Sequence, residues 1–238
     1  MRIAIVSDIH GNRAAFEAVE ADVRAAAPDL VLHGGDLSDG GSSPAWIVDR
    51  VRELGWSGVM GNGDEMCVRP EPLEEFARQS SAPPALWDAV REMADWTRSA
   101  LGAERISWLA GLPRLLRTGS LALVHASPDD LWRAPLDDAG LEAACGRLDA
   151  DTVVFGHTHR PFTCRLASGV HVANSGSVGL PYNGDRRASY VLIDEGTPAI
   201  RRVEYDLDAE AAAIRDNGLP HGAWVEEMLR AAAPRLPR

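Results

Sequence analysis

Short apolar runs, each broken by glycine and a polar residue, recur along the chain, and their spacing predicts its elements. Arg2–Ser7 reads as a first strand, apolar and β-branched, ending in Asp8-Ile9-His10-Gly11-Asn12. A helical stripe of Phe16, Val19 and Val23 follows, closed by Pro28. Asp29–His33 is a second strand that runs into Gly34-Gly35-Asp36. Ser43-Pro44 opens a second helix, with Ser43 as N-cap and Trp46, Ile47, Val51 and Leu54 as its buried stripe. Ser57–Met60 is a third strand, ending in Gly61-Asn62-Gly63-Asp64. Strands alternating with helices at this spacing predict a parallel α/β layout. Ligand sites of such sheets lie at the carboxyl ends of the strands, so these polar loops should meet.

The pattern changes over residues 65–112. Prolines cluster at 70, 72, 83 and 84, and Trp87, Trp96 and Trp108 punctuate helical stretches such as Leu86–Leu101. This predicts a helical insertion that caps the site mouth or forms a dimer face, with the tryptophans as packing residues rather than substrate stackers. Strands resume at Leu115–Leu116 and Leu121–Val124, the latter ending in His125. A helix over Asp138–Leu148 leads to the strand Asp151–Phe155, which stops at Gly156-His157-Thr158-His159. Side chains two apart in an extended segment share a side, so His157 and His159 are expected to converge. Thr163–Leu166 and Val170–Ala173 predict a hairpin, and residues 174–185 form a glycine-rich loop too long for a tight turn. Ser189–Ile193 and Ala199–Tyr205 are late strands, Asp208–Arg230 is helical, and residues 234–238 are expected to fray.

Composition narrows the function classes. A chain of 238 residues suits one domain, here 1–238, carrying the insertion at about 65–112. The net charge of -11 argues against general affinity for nucleic-acid backbones. Cys67, Cys145 and Cys164 form no CxxC pair or disulfide framework. No apolar stretch is long enough to span a membrane and no signal peptide is seen, so a cytoplasmic location is expected.

The polar residues at strand ends are Asp8, His10, Asp36, Asn62, His125, His157 and His159. All seven can ligate metal, and mixed imidazole and carboxylate donors suit Mn, Fe or Zn. Seven ligands exceed the needs of one tetrahedral ion, which implies two. One carboxylate bridging both would hold them about 3.5–4 Å apart.

Taken in order, Asp8-Ile9-His10, Gly35-Asp36, Gly61-Asn62-Gly63-Asp64, His125 and Gly156-His157-Thr158-His159 resemble the calcineurin-like metallophosphoesterase superfamily. Its blocks are D-x-H, G-D, G-N-H-[DE], a lone His and G-H-x-H. The His-Gly-Asn after the first aspartate and the late Asn-x-Gly-Ser-Val-Gly loop look like its compact bacterial phosphodiesterase branch. The resemblance implies a four-layer α-β-β-α sandwich of two mixed sheets with a helical cap. It also implies Asp8, His10 and His159 on one metal, Asn62, His125 and His157 on a second, and Asp36 bridging. Such a pair would turn a bridging water into hydroxide and neutralise charge on a phosphate.

The departure is Gly63, where the family often carries a histidine that helps protonate the leaving group. General-acid help is worth about 10²–10⁴-fold, so its loss biases the site toward diesters or good leaving groups. Asp36, Asn62, Asp64 and His125 are the candidate catalytic residues. Asp64 would orient Asn62, contact substrate or serve structure. Asn12 is a phosphate donor or a helix N-cap, and Arg160 and Asn174 border the expected cleft. His33 reads as a buried histidine.

The expected function is a binuclear metal-dependent phosphoesterase acting on a small phosphodiester or nucleotide-type substrate. Alternatives are a monoesterase, including protein or dinucleoside-polyphosphate phosphatase activity, and a non-catalytic scaffold of the same fold.

Overall fold

Alternate residues of β1 (Ile3–Val6) face two different layers, and that alternation organises the fold. The computed structural model describes residues 1–135 and 137–237. Ile3 and Ile5 turn into an apolar layer between two sheets, with Leu32, Leu123, Val154, Ala173 and Val191. Ala4 and Val6 turn the other way, onto Phe16 and Val19 of α1 (Arg13–Ala26) and Val48 and Val51 of α2 (Pro44–Glu53). Each such aliphatic or aromatic side chain contributes roughly 1.5–3 kcal/mol when fully buried. Strands covered on both faces must be apolar throughout, which is why these runs lack polar alternation.

The first sheet has the order β10-β9-β1-β2-β3, with β2 (Leu30–His33), β3 (Ser57–Gly58), β9 (Ala188–Asp194) and β10 (Thr197–Val203). The second has the order β4-β5-β6-β8-β7, with β4 (Leu115–Thr118), β5 (Leu121–Val124), β6 (Thr152–Phe155), β7 (Phe162–Arg165) and β8 (His171–Asn174). Each sheet has a parallel centre, β1-β2-β3 or β5-β6-β8, and antiparallel pairings outside it. Val153, Phe155 and Val172 on the outer face of the second sheet meet Leu141 and Cys145 of α6 (Asp138–Cys145). Helices, sheet, sheet and helix thus make the four-layer sandwich.

Two expected elements differ in extent, and one cap differs in its bonding. β3 has only two residues, because Met60 leaves the sheet to donate its backbone N–H to Pro113 O at 2.9 Å. The helical stretch 208–230 is two helices, α7 (Leu207–Asn217) and α8 (Gly222–Ala231). Gly218 ends α7 at φ 77°, and Pro220 cannot continue a helix. Ser43 occupies the N-cap of α2, but its hydroxyl meets Ser42 Oγ at 3.0 Å rather than a backbone N–H. Of the expected frayed end, Arg238 lies outside the described residues.

Residues 62–110 hold α3 (Asn62–Val68), α4 (Glu71–Gln79) and α5 (Pro84–Ala110), which kinks at Gly102. Leu101 and Leu109 of α5 join the cluster of α1 and α2, while Met93 packs with Val225 and Met228 of α8. Trp96 and Trp108 pack against these clusters as expected. No helix among the described residues is long and apolar enough to cross a membrane.

Candidate metal centre

The loops that leave β1, β2 and β6 are built on unusual backbone. Nine non-glycine residues among those described have positive φ, and five are expected ligands: Asp8 (55°), His10 (51°), Asp36 (51°), His157 (63°) and His159 (56°). The left-handed region costs an L-residue about 1–2 kcal/mol. Cross-loop hydrogen bonds hold it. Asp8 N donates to Gly35 O at 3.0 Å, and Ile9 N and His10 N donate to Asp36 O at 2.8 and 3.0 Å. His157 N donates to both carboxylate oxygens of Asp8, at 2.9 and 3.1 Å. The expectation that His157 and His159 share one side of an extended segment is therefore corrected. Both lie past the strand in left-handed turns, and their rings serve different clusters.

One cluster comprises Asp8, His10, Asp36 and His159, all buried, with ligand atoms within 4.8 Å of one another. His10 Nδ1–H donates to Asp39 O at 2.9 Å and His159 Nδ1–H to Leu180 O at 2.5 Å. A carbonyl only accepts, so each ring presents its Nε2 lone pair inward. Those two Nε2 atoms lie 3.0 Å apart, and Asp8 Oδ1 is 3.2 Å from His159 Nε2. Facing lone pairs beside carboxylates repel unless a proton or metal cation lies between them. The donor set therefore fits a divalent ion.

A second convergence lies beside the first. Asn62 Oδ1 is 2.9 Å from His125 Nε2 and 2.7 Å from His157 Nδ1. His125 Nδ1–H donates to Gly34 O at 2.8 Å, which turns its other nitrogen to Asn62. Asp36 Oδ2 stands between the groups, 3.7 Å from His10 Nε2 and 3.5 Å from His125 Nε2. Asp36 Oδ1 accepts from Gly63 N at 2.7 Å. All seven expected ligands thus come together.

The electrostatics express the same demand for positive charge. Burial, with Asp39, Asp8 and Asp64 nearby, holds the Asp36 carboxyl well above the usual carboxylate range. Burial opposes charge on His10, but Asp39, Asp36 and Asp8 outweigh it and raise the ring to about 10. Burial depresses His125, and it lowers His157, with His125 beside it, to about 3. The second group therefore offers neutral imidazoles, the form that ligates metal.

The other expected site residues hold backbone. Asp64 is fully buried and accepts from Asp36 N and Gly61 N through Oδ2 (2.9 and 3.0 Å) and from Leu37 N through Oδ1 (2.9 Å). Burial pushes its carboxyl up to about 6 against those three donors. Its contacts are those of a clamp that fixes Asp36, rather than of a group facing substrate or Asn62. Asn12 is the N-cap of α1, accepting from Ala15 N at 2.9 Å and donating to Gly179 O at 2.9 Å. Asn174 is buried and donates to Gly156 O at 2.6 Å, steadying the turn before His157. Arg160 is exposed, with its Nε donating to Tyr182 O at 3.2 Å. The His33 ring is buried with neither nitrogen hydrogen-bonded, and burial lowers it to about 4.

Asp39 was not anticipated. Its Oδ1 lies 3.3 Å from His10 Nδ1, and a Cβ placed on Gly63 would meet that oxygen at 2.1 Å. Asp39 thus fills the space that a side chain at 63 would need. A signal was available, since Asp39 follows Asp36 within the same strand-end loop. Tyr182, stacked on His159 at 4.5 Å between ring centroids, lies in the glycine-rich loop of residues 174–185.

Residues 1–197 match the calcineurin-like phosphoesterase superfamily domain. The chain superposes on a metallophosphoesterase from Sphaerobacter thermophilus with a TM-score of 0.82 and 30% identity, over 98% of this chain and 100% of that one. A hypothetical protein from Pyrococcus horikoshii OT3 shares the fold with a TM-score of 0.84 at 18% identity, over 98% and 99% of the two chains. An uncharacterized protein of Methanocaldococcus jannaschii is 27% identical over 249 residues, covering 95% of this chain and 96% of its own. With two mixed sheets, five strand-end motifs and this full-length likeness in agreement, the chain belongs to the calcineurin-like phosphoesterase superfamily.

Proposed function

We propose that this protein is a binuclear metal-dependent phosphoesterase of the cytoplasm, acting on small phosphodiesters or nucleotide-type esters. One observation carries the reading: seven metal-ligating side chains meet in two adjoining groups with Asp36 between them. Asp8, His10 and His159 would hold one ion, Asn62, His125 and His157 the other, with Asp36 shared. Bound there, two divalent ions of the Mn, Fe or Zn type supply Lewis acidity toward water and the phosphate oxygens.

The chain's own residues do the positioning. Carbonyls of Asp39, Gly34 and Leu180 fix three imidazole tautomers. Asp64 and Gly63 N hold Asp36 in place. The preference for diesters has two supports. Asp39 fills the place of a side chain at 63, so no imidazole there protonates a poor leaving group. Two recesses flank His157, one lined by apolar residues and one carrying Arg133, and a diester has two arms to seat. Three free cysteines suit a reducing compartment.

Metal analysis combined with hydrolysis of a generic aryl diester tests the proposal. We expect about two ions per chain and turnover that depends on them. A metal-loaded protein inert with Mn, Fe and Zn would sink it.

A further inference from the structure

We infer that the apolar recess over the metal centre selects esters whose organic arm is a flat, uncharged aromatic group. The inference rests on the phosphoesterase reading and names a substrate class for the same site. The recess is a cavity of about 270 Å³, and His10, Asn62 and His157 form part of its lining, so it is continuous with the ligand cluster. At the small end of ligand pockets, it suits one ring system rather than an extended chain.

Its wall is aromatic and assembled from distant segments: Phe76 of α4, Trp87 of α5, Trp132 after β5, Tyr182, and Trp224 and Met228 of α8. Phe76 packs edge-on to Trp87 at 5.6 Å and tilted against Trp132 at 5.2 Å between centroids. Trp132 Nε1 donates to Glu65 Oε2 at 2.7 Å and Trp224 Nε1 to Arg235 O at 3.0 Å, which fixes both rings. Fixed aromatic faces and edges favour a ring that can stack or meet them edge-to-face.

Charge points the same way. Among the described lining residues no arginine is present, and the formal charge outside the histidines is that of Asp39. Away from the metal ligands, a second phosphate or a carboxylate on the arm would meet no arginine or lysine in the described lining, while its desolvation would be costly.

Non-hydrolysable phosphonates separate this inference from the catalytic one. Methyl-, cyclohexyl- and phenylphosphonate, with inorganic phosphate as reference, are titrated calorimetrically into the Mn-loaded full chain. We expect phenylphosphonate to bind about ten- to hundredfold more tightly than methylphosphonate, the gain from burying one ring against aromatic neighbours. Trp224→Ala should bring that ratio down by about tenfold. Equal affinity for phenyl and methyl, or cyclohexyl binding as tightly as phenyl, overturns the aromatic pocket and leaves the phosphoesterase reading standing. Failure of inorganic phosphate to bind in the presence of metal overturns both. The ligand series on the unaltered protein decides the matter even if Trp224→Ala does not fold.

Discussion

At the strand ends, seven polar side chains sit within a few residues of the strands that precede them, six on short loops and Asn62 at the start of α3, and five have left-handed backbone. The wall above them is the opposite case. Phe76, Trp87, Trp132 and Trp224 come from positions far apart in the chain, from helices and one loop, and all four carry φ on the ordinary side. The first region spends conformational energy to hold charge in fixed directions. The second uses ordinary helices and apolar packing to shape a volume. Metal chemistry tolerates little change in ligand geometry, whereas a cavity can be lined by many combinations of side chains.

The comparison breaks first at the ligands. His157→Ala or Asp36→Asn should lower metal-dependent turnover by about 10²–10³-fold or more while far-ultraviolet circular dichroism stays native. Rates like those of the unaltered protein would refute the ligand assignment. Loss of the fold in both variants would show that the loops hold the sandwich together rather than merely riding on it.

Removal of metal sharpens the contrast. An ion present at a hundred times its Kd stabilises by about 2.7 kcal/mol, so a chelator should lower Tm by roughly 5–10 °C. Calorimetry with and without chelator reads this directly. An unchanged Tm would mean that the site does not bind the added ion in the native state.

The smallest effect concerns Gly63. Restoring the family's usual residue by Gly63→His should not raise monoesterase activity. The new Cβ overlaps Asp39, whose displacement loosens His10, at about 1–3 kcal/mol of stability in urea unfolding. A more active and equally stable variant would show that the space beside Asp39 is available after all.

How far the sequence was legible follows the same division. Asp8, His10, Asp36, Asn62, His125, His157 and His159 could be found because a strand end is local information and the apolar runs mark it. Those runs predict the parallel α/β half, while the four-layer sandwich is what the family resemblance implies. The left-handed φ at His157 and His159 was not visible, since neither residue type signals it as glycine does. The role of Asp64 stays open between orienting Asn62, contacting substrate and serving structure, because sequence shows a carboxylate and not the three backbone N–H groups around it. Asn12 reads equally as a phosphate donor or an N-cap, and the cap is what forms; Asn174 looks like a substrate contact for the same reason as Asp64, and it is bonded to backbone. The division of 208–230 was within reach, because Gly218 and Pro220 are both breakers. The cavity was not, because no local pattern links Trp87 to Trp224.

The left-handed ligands bear on how an ion enters and leaves. A side chain on such backbone, laced to the neighbouring loop by hydrogen bonds, has few nearby wells to visit, so its aim is set before capture. Uptake should then lose little backbone entropy, and its speed should follow ion dehydration rather than loop closure. Exchange of one divalent ion for another should likewise proceed without loop rearrangement. Amide hydrogen exchange at residues 8–12 and 156–159 would then be nearly the same with and without metal.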